Sequence, residues 1–321
     1  MAGIDLEGKK VLVTLPLTDT ERQAFVELIE GAGAKATFIR EPNVKEHDID
    51  DATLIVGNVP AAKLRAPEGL LWLQTSSAGY DHYLKEGLLA PQTRLSSAAG
   101  TYAQAVSEHM FAQLLCLMKK LHLYRDNQSK ALWRDEGTVR TLADANVLVL
   151  GAGSIGSGFA QLCAAMGAHV TGARRTVVEA RAPFERMITM DQIFDVLGEM
   201  DVVASALPST PETRGLAGEC FFATMRADSY FVNGGRGDLV DSDALAKALR
   251  EGHLAGAALD VTNPEPLPAD HALWAEPNAL ITPHISGFWH LPEQTACTVA
   301  LCRDNLEAFM AGEPLVNEVY R

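Results

Sequence analysis

The feature that most constrains the fold is an apolar run, Val147–Leu150, that ends in Gly-Ala-Gly-Ser-Ile-Gly at positions 151–156. Four apolar residues ahead of a glycine predict a buried parallel strand that turns directly into a helix. In such a turn Gly151 permits the sharp bend and Gly153 lets a pyrophosphate approach the backbone. Gly156 allows the helix to pack closely on the strand. The sequence therefore predicts a dinucleotide-binding unit here.

The surroundings of this turn strengthen the prediction, because a glycine-rich turn by itself is common. A helix is expected from Phe159 to Met166, and a second strand from His169 to Ala173 ends about where the ribose of a dinucleotide would lie. The free N–H groups and the positive dipole end of the helix would face the phosphates. The residues predicted to form this phosphate cradle are Gly151, Gly153, Ser154, Ile155 and Gly156.

The run Arg174-Arg175-Thr176 follows the second strand, where a dinucleotide-binding chain usually has an acid. An Asp or Glu there would accept hydrogen bonds from the ribose hydroxyls of NAD and would repel the additional phosphate of NADP. A guanidinium instead binds a phosphate dianion at two points and stacks on adenine, and Thr176 adds a hydroxyl donor. The sequence favours NADP over the other interpretation, a pair of solvated arginines at a strand end.

The composition is that of an ordinary globular protein and limits its partners. The 321 residues suffice for two domains, and 47% of them are apolar. A net charge of −14 argues against nucleic acid or an anionic membrane as a partner. The five cysteines show neither Cys-x-x-Cys nor Cys/His ligand spacing, so we expect free thiols in a reducing cytoplasm and no metal. The N-terminus lacks the apolar core of a signal peptide, and no run approaches the ~18 apolar residues of a membrane span.

Short apolar strands alternate with helices along the chain, which predicts an α/β fold with doubly wound parallel sheets. A long apolar helix from Tyr102 to about Tyr124 would connect two domains, and an amphipathic helix from Glu293 to Met310 would return to the first. We expect two Rossmann-like domains, with the dinucleotide-binding domain (100–287) inserted into a flavodoxin-like substrate domain (1–99 and 288–321). The predicted strands of the dinucleotide-binding domain are Val147–Leu150, His169–Ala173, Val202–Ala204, Tyr230–Asn233, Gly256–Asp260 and Leu280–Thr282.

Three polar motifs follow apolar strands of the second domain, at the sheet edge where open α/β sheets bind ligands. They contain Arg236, Glu265 and His284. Hydride delivery to a ketone leaves negative charge on oxygen, so a proton donor must lie beside it, and histidine suits this task near neutral pH. His284 is the expected acid, and Glu265 would fix its tautomer and favour its protonated form. Arg236 would bind a carboxylate and polarise the carbonyl.

Each of these residues also has a purely structural interpretation. Arg236 could cap a helix, Glu265 could be a solvated loop residue, and His284 could be a hydrogen-bonded histidine at a strand end. These alternatives weaken because all three residues follow strands of one unit. Asp260 could hold the nicotinamide side of a cofactor or simply pack, and Trp289 could wall the substrate pocket or pack between the domains.

The chain resembles the NAD(P)-dependent D-2-hydroxyacid dehydrogenase family in motifs that occur in the family's order and at family-like intervals. The longest are Gly-Ala-Gly-Ser-Ile-Gly at 151–156, Asn-Gly-Gly-Arg-Gly-Asp at 233–238, Leu-Asp-Val-Thr-Asn-Pro-Glu-Pro at 259–266 and Thr-Pro-His-Ile-Ser-Gly at 282–287. Shorter matches are Ser-Ala-Gly-Tyr-Asp at 77–81 and Ala-Leu-Pro-Ser-Thr at 206–210. Together these motifs cover nearly the whole chain.

The resemblance implies roles for particular residues of this chain. It implies that the catalytic residues are Arg236, Glu265 and His284. It implies that the substrate carboxylate is anchored by backbone N–H groups around Ser77, Ala78 and Gly79. Arg236, together with Trp289, which follows the catalytic loop directly, completes the expected substrate-binding set. Further cofactor contacts are expected from Leu207, Pro208, Thr213, Gly235, Asp260, Ser286 and Gly287.

Family members that prefer NAD usually have Asp where this chain has Arg174, so the chain resembles the NADPH-preferring glyoxylate/hydroxypyruvate reductase branch. We therefore expect reduction of a small 2-oxoacid to the D-2-hydroxyacid, with NADP(H) preferred and NAD(H) as the alternative cofactor. The resemblance also implies a homodimer. Two other functions stay open: a non-catalytic nucleotide-sensing protein similar to a co-repressor, and an NAD-dependent dehydrogenase that works in the oxidative direction.

Overall fold

The computed structural model describes residues 4–176, 178–287 and 289–320. The chain forms two compact units, one made of Met1–Tyr102 with Trp289–Arg321 and the other of Ala103–Phe288. The second unit is therefore inserted between two segments of the first. Each unit is an α/β domain built on a mainly parallel sheet, which confirms the predicted fold class.

Strands and helices alternate through most of both units. In chain order the strands are β1 (Lys10–Val13), β2 (Lys35–Phe38), β3 (Leu54–Val56), β4 (Trp72–Gln74), β5 (Arg94–Ser96), β6 (Asn146–Leu150), β7 (His169–Arg174), β8 (Arg186–Thr189), β9 (Val202–Ser205), β10 (Tyr230–Asn233), β11 (Gly256–Leu259), β12 (Ala279–Ile281) and β13 (Glu318–Val319). The α-helices are α1 (Asp19–Gly31), α2 (Glu46–Asp50), α3 (Ala103–Met118), α4 (Leu121–Ser129), α5 (Ser154–Ala165), α6 (Ile193–Val196), α7 (Glu219–Thr224), α8 (Ser242–Arg250) and α9 (Pro292–Ala311).

The sheet of the first unit has the strand order β2-β1-β3-β4-β5-β13. Strands β1 to β5 pair in parallel, whereas β13 pairs antiparallel with β5. Strands β3 and β4 are buried along their whole length, as expected for parallel strands covered on both faces. Because β1, β3 and β4 are parallel, the loops that follow them lie at one edge of the sheet. The strand order reverses between β1 and β3, and such a reversal opens a crevice at this edge.

Two strands that the sequence analysis did not predict, β5 and β13, hold the C-terminal segment to this sheet. Arg94 in β5 forms a two-point ion pair with Glu318 in β13, with N–O distances of 2.6 and 2.9 Å. Asn305 in α9 donates to the Val316 carbonyl at 2.9 Å and accepts from the Val316 N–H at 2.8 Å. β5 contains a single apolar residue, Leu95, and β13 has only two residues, so neither shows the apolar run that would predict a strand.

The sheet of the second unit has the strand order β8-β7-β6-β9-β10-β11-β12, and its described pairings are all parallel. The order reverses between β6 and β9. In open α/β sheets such a reversal opens a crevice at the carboxyl ends of the strands, where ligands bind. Strand β8 adds to the six predicted strands; it was missed because its sequence, Arg-Met-Ile-Thr, is only partly buried and has no apolar run.

The long helix predicted from Tyr102 to about Tyr124 is two helices, α3 and α4. Lys120 has a φ of 56°, in the left-handed region, and separates them. The Lys120 ammonium donates to the Glu136 carbonyl at 2.5 Å, which ties the segment after α4 to the junction of the two helices. This contact joins residues sixteen positions apart, and no local apolar pattern indicates it.

Candidate active site

The glycine-rich turn between β6 and α5 has the geometry of a phosphate cradle. Gly151 has a φ of 92°, which glycine adopts without strain, and a β-carbon there would lie 3.0 Å from the Ala206 carbonyl oxygen. A β-carbon at Gly156 would lie 2.1 Å from the Gly151 carbonyl oxygen, so the helix approaches the turn this closely only with glycine. At Gly153 a β-carbon would meet nothing within 4 Å, so the space in front of this residue is open.

The first turn of α5 supplies the donors for that open space. The helix begins at Ser154, and its N-cap residue, Gly153, provides no side chain to cap it. The first N–H groups of an α-helix, here those of Ser154, Ile155 and Gly156, have no acceptor within the helix. A phosphate group fits this place, because it meets unsatisfied donors, the positive end of the helix dipole and an open approach. The residues present therefore suit the diphosphate of NAD(P).

Arg174 brings positive charge to the glycine-rich turn. It is the last residue of β7, and with Arg175 and Thr176 it is exposed to solvent. Arg174 lines a cavity of about 460 Å³ together with Ala152 of the turn and Ser157 of α5. The predicted ribose end of the cradle and the glycine-rich turn therefore share one cavity, and its wall carries a guanidinium.

The loop after β9 carries predicted cofactor contacts and lies near Arg175. The Thr213 hydroxyl donates to the Pro208 carbonyl at 2.7 Å and accepts from the Thr210 N–H at 2.9 Å, so this side chain closes a turn. A hydrogen bond with Thr210 is the largest cause that lowers the pKa of the Glu212 carboxyl, and the positive charge of Arg175 lowers it further. The Arg175 charge therefore acts at the loop that holds Pro208 and Thr213.

Gly235 lies against Leu207 where β9 and β10 end. A β-carbon at Gly235 would lie 2.6 Å from the Leu207 carbonyl oxygen, so these two predicted cofactor contacts pack backbone to backbone. The Asn233 side chain braces the turn: its Oδ1 accepts from the Gly235 N–H at 3.1 Å and its Nδ2 donates to the Arg236 carbonyl at 2.9 Å. The Arg236 guanidinium donates to the Gly235 carbonyl at 2.9 Å and is partly buried.

His284 and Glu265 form a hydrogen-bonded pair. The Nδ1 atom of His284 lies 2.9 Å from Oε2 of Glu265. The other carboxylate oxygen of Glu265 accepts from the Thr262 N–H at 3.1 Å. Side-chain exposures of 51% for His284 and 40% for Glu265 leave the pair accessible to a small molecule. Because Nδ1 faces the carboxylate, Nε2 is the ring nitrogen that remains for a substrate.

The electrostatics of the pair favour a protonated imidazole beside an ionised carboxylate. The hydrogen bond with Glu265 is the largest cause that raises the pKa of His284; the charges of Glu265 and Asp260 raise it too, against burial and the Arg236 charge. Burial acts to raise the pKa of Glu265, but the hydrogen bond and charge of His284, the Thr262 N–H and the Arg236 charge together lower it. The Arg236 charge acts on both groups, so the three predicted catalytic side chains form one cluster.

Asp260 holds the loop that carries His284. Its carboxylate is 1% exposed; Oδ1 accepts from the Ile285 N–H at 3.0 Å, and Oδ2 accepts from the Ser286 N–H at 3.0 Å and from the Ser286 hydroxyl. The Asp260 carbonyl accepts from the His284 N–H at 2.7 Å. Of the two interpretations of Asp260, these contacts support packing: the side chain shapes the loop, and Ser286 and the turn at Gly287 belong to the same loop.

Two residues of α3 that the sequence analysis missed also reach this loop. The Thr282 hydroxyl donates to Asp260 Oδ1 at 2.6 Å; Gln113 Nε2 lies 3.1 Å and His109 Nε2 lies 3.0 Å from the same hydroxyl oxygen. His109 and Gln113 are four positions apart, so they share one face of the helix. This spacing of two polar side chains on one helix face is the signal that could have indicated them.

In the first unit, the turn after β4 presents backbone donors. Asn58 Oδ1 accepts from the Ser76 N–H at 3.0 Å, and the Ser77 hydroxyl donates to the Gly79 carbonyl at 2.7 Å. In the part of the chain that the structure describes, the N–H groups of Ser77, Ala78 and Gly79 have no acceptor. Successive N–H groups in a turn form a concavity that suits an anion such as a carboxylate.

Trp289 packs within the first unit. Its partly buried side chain lies against the apolar core cluster that includes Phe25, Trp72 and Phe309. This packing accounts for the side chain without a substrate, so the structure adds no support for Trp289 as a pocket wall.

Within residues 4–176, 178–287 and 289–320, no helix is long and apolar enough to cross a membrane. Over the same residues, no three His, Cys, Asp or Glu side chains are grouped so that they could hold a metal ion. The five cysteines, Cys116, Cys163, Cys220, Cys297 and Cys302, are free thiols.

The second unit matches a family model described as D-isomer specific 2-hydroxyacid dehydrogenase, NAD binding domain, over residues 111–286. The chain belongs to the D-isomer-specific 2-hydroxyacid dehydrogenase family. The resemblance carried by the motifs is thereby confirmed. The matched residues include the glycine-rich turn, Arg236, Glu265 and His284.

Named relatives of this dehydrogenase family span most of the chain. Glyoxylate/hydroxypyruvate reductase B from Escherichia fergusonii is 32% identical over 82% of this chain and 79% of its own. The crystal structure of a D-isomer specific 2-hydroxyacid dehydrogenase family protein from Aeromonas salmonicida is 29% identical, with a TM-score of 0.83 over 98% of this chain and 99% of that one. An NADPH-dependent glyoxylate/hydroxypyruvate reductase from Sinorhizobium meliloti, solved with NADP and sulfate, is 26% identical, with a TM-score of 0.78 over 97% and 98% of the two chains.

Proposed function

We propose that this protein reduces a small 2-oxoacid to the D-2-hydroxyacid, with NADPH as the hydride donor and His284 as the proton donor. The observation that carries the proposal is the His284–Glu265 hydrogen bond of 2.9 Å, which raises the pKa of His284. A histidine kept protonated near neutral pH is what the reduction of a ketone requires. The names of the relatives, glyoxylate/hydroxypyruvate reductases, support the same substrate class.

The three clustered side chains have complementary tasks in this reaction. A bound nicotinamide supplies the hydride. As negative charge develops on the carbonyl oxygen, His284 donates its Nε2 proton to that oxygen, and the Arg236 guanidinium stabilises the charge. Glu265 orients the imidazole through Nδ1 and stabilises its charged form. Because His284 is half exposed, solvent can restore its proton after each turnover.

Two groups are proposed to bind the substrate carboxylate. Arg236 offers a charged, two-point donor that matches a carboxylate. The N–H groups of Ser77, Ala78 and Gly79 offer neutral donors in a turn held by Asn58 and the Ser77 hydroxyl. A carboxylate next to the carbonyl defines 2-oxoacids, so both groups would select for this class rather than for simple ketones.

The proposed preference for NADPH depends on Arg174 and Arg175. Arg174 lines the cavity beside the glycine-rich turn, and the Arg175 charge acts at the neighbouring loop. Two guanidinium groups at the ribose end would bind the extra phosphate of NADP and would give NAD no comparable contact. The Sinorhizobium meliloti reductase and a Xanthobacter autotrophicus relative, 26% identical to this chain, were solved with NADP and NADPH, which supports this cofactor.

A homodimer is the proposed assembly. The segment after α4 carries Trp133, whose side chain is fully exposed, and Leu132, which is 49% exposed. These two residues line a surface cavity of about 620 Å³ with Tyr124. An exposed tryptophan beside an apolar cavity is typical of a protein interface, and a second copy of this chain is the proposed occupant. Sedimentation of the wild-type chain as a dimer and of Trp133→Ala with a weakened association would support it; a wild-type monomer would contradict it.

Steady-state assays test the proposed activity directly. Glyoxylate, hydroxypyruvate, pyruvate and phenylpyruvate are each offered with NADPH and with NADH. The products of the last three acids, which have a stereocentre at C2, are resolved on a chiral column. We expect oxidation of NADPH to exceed that of NADH at equal concentration, and we expect the D-enantiomer wherever the product is chiral. No oxidation with any 2-oxoacid would favour the nucleotide-sensing alternative, and faster reduction of NAD by D-2-hydroxyacids would favour the oxidative one.

A further inference from the structure

The Thr282 hydroxyl links α3 to the loop that carries His284. Three polar atoms lie within hydrogen-bond distance of its oxygen: Asp260 Oδ1 at 2.6 Å, His109 Nε2 at 3.0 Å and Gln113 Nε2 at 3.1 Å. All four residues belong to the second unit, and none of them touches His284 through its side chain in the described contacts. The role of this cluster is therefore distinct from that of the catalytic trio.

Counting hydrogens fixes the direction of each bond. A hydroxyl has one hydrogen and two acceptor positions, and an ionised carboxylate only accepts. The hydrogen of Thr282 therefore goes to Asp260, and its two acceptor positions receive N–H groups from Gln113 and His109. His109 must then carry a hydrogen on Nε2. The same Nε2 lies 3.7 Å from Asp260 Oδ1, so the imidazole also lies beside the buried carboxylate.

Asp260 transmits this arrangement to the catalytic loop. Its carboxylate oxygens accept from the N–H groups of Ile285 and Ser286, the two residues after His284. His284 itself has a φ of 51°, in the left-handed region that a histidine adopts at a cost in free energy. Such a conformation persists only where the surroundings impose it. Two sets of contacts impose it here. The Asp260 carboxylate accepts hydrogen bonds from the two residues after His284, and the Thr282 side chain, two residues before His284, donates to the same carboxylate.

We propose that Thr282 and His109 are positioning residues for the reaction: through Asp260 they hold His284 in the backbone conformation that directs its ring at Glu265. The inference rests on the proposed role of His284 as the acid. It extends the active site to α3, a helix with no predicted catalytic or ligand-binding residue. A hydroxyl, rather than an apolar group of the same shape, is required at position 282, and an Nε2 donor is required at position 109.

The test compares matched variants at the two positions. Thr282→Val keeps the shape of the side chain and removes the hydroxyl, whereas Thr282→Ser keeps the hydroxyl. His109→Leu removes the donor, whereas His109→Gln keeps an N–H group at a similar reach. Because small displacements of a reacting group cost about 10- to 100-fold in rate, we expect kcat to fall by at least about 10-fold in Thr282→Val, with recovery in Thr282→Ser. The fall in kcat should likewise be larger in His109→Leu than in His109→Gln, and both falls should be smaller than that in Thr282→Val.

A readout that needs no turnover separates positioning from stability. Glu265, Asp260 and Arg236 are the charged groups that act on His284. If the loop loses its position, the hydrogen bond between His284 and Glu265 weakens, and the pKa of His284 falls towards its ordinary value. NMR titration of carbon-13-labelled histidine, with His284→Ala to assign the signal, should show this fall in Thr282→Val and not in Thr282→Ser. Thr224→Val serves as the control, because the Thr224 hydroxyl bonds only the Cys220 carbonyl in α7 in the described contacts.

Each outcome decides the inference. A wild-type kcat together with a wild-type pKa of His284 in Thr282→Val would overturn it, as would a loss of stability with an unchanged pKa. If Thr282→Val does not fold, kcat and the pKa of His284 in His109→Leu and His109→Gln decide the inference by the same criteria. A wild-type enzyme that reduces no 2-oxoacid would instead contradict the proposed function, and the titration would still decide whether α3 positions His284.

Discussion

Two loops of this molecule use their backbone N–H groups in opposite ways. In the turn at 77–79, three successive N–H groups have no acceptor among the described residues, and the Ser77 hydroxyl and Asn58 hold the turn from the side. In the loop at 282–287, the N–H groups of His284, Ile285 and Ser286 are all bonded to Asp260. Both loops follow parallel strands at the carboxyl edge of a sheet, so topology alone does not explain the difference.

The difference shows how one architecture builds two kinds of ligand contact. A loop that binds an anion through its backbone must leave its donors unpaired and be held by other groups. A loop that presents a reactive side chain must give its backbone donors to an anchor, because His284 occupies a conformation that needs support. The first kind of loop should control substrate affinity and the second should control the rate of the chemical step.

The largest fall in kcat is expected when His284, the side chain that the loop at 282–287 presents, is replaced. Replacing His284 by Ala removes the proton donor and should lower kcat by about 10²- to 10⁴-fold, with the Kd for NADPH unchanged. Steady-state kinetics and a fluorescence titration of NADPH measure the two quantities. His253→Ala is the matched control, since His253 bonds the Met225 carbonyl at 2.9 Å in the same unit and should keep wild-type rates. Full turnover in His284→Ala would remove the proposed acid.

A change of intermediate size is expected in the KM for NADPH when Arg174 and Arg175 are replaced. These residues lie at the proposed ribose end of the cofactor site, outside both loops. Arg174→Asp with Arg175→Ala replaces two cations by one anion and should raise the KM for NADPH by about 10- to 100-fold, because charge-assisted hydrogen bonds are lost. The KM for NADH is the internal control and should change little or improve. Equal changes in the KM for NADPH and for NADH would contradict the proposed phosphate contact. They would not affect the proposed roles of the two loops.

The smallest effect, a change in the KM for the 2-oxoacid, is expected in the turn at 77–79. Ser77→Ala removes the hydroxyl that bonds the Gly79 carbonyl, which loosens the turn but leaves its three N–H groups in place. Loss of one such hydrogen bond should raise the KM for the 2-oxoacid about 2- to 10-fold at unchanged kcat. Ser129→Ala, which removes an exposed hydroxyl bond to the Asp126 carbonyl, is the control. A fall in kcat without a change in KM would break the proposed division between the loops.

Much of this fold could be predicted from the sequence, since most strands are apolar runs that end in glycine or polar residues. The parts that could not be predicted are held by contacts between residues far apart in the chain. The Arg94–Glu318 ion pair joins β13 to β5, and the Lys120–Glu136 hydrogen bond lies at the break between α3 and α4. Neither contact leaves a periodic pattern in its own segment.

In the candidate site, too, contacts between residues far apart in the chain could not be predicted from the sequence. Arg236, Glu265 and His284 could be proposed because each follows a strand of one sheet, and parallel strands bring their carboxyl ends together. The spacing of His109 and Gln113 indicates that they share one face of α3, but only the packing of the helix shows which polar groups they meet. The choice between two interpretations of Asp260 likewise needed the hydrogen bonds of Ile285 and Ser286.

The most direct test of the central claim is the pH dependence of kcat/KM for 2-oxoacid reduction in the wild type and in Glu265→Gln. The reaction needs protonated His284, so activity is present below the pKa of His284 and is lost as the pH rises through it. Glu265 raises that pKa, so the wild-type activity should fall at a pH above the ordinary histidine value. In Glu265→Gln this fall should move to lower pH. A fall at the same pH in both proteins would contradict the claim that the His284–Glu265 pair supplies the proton.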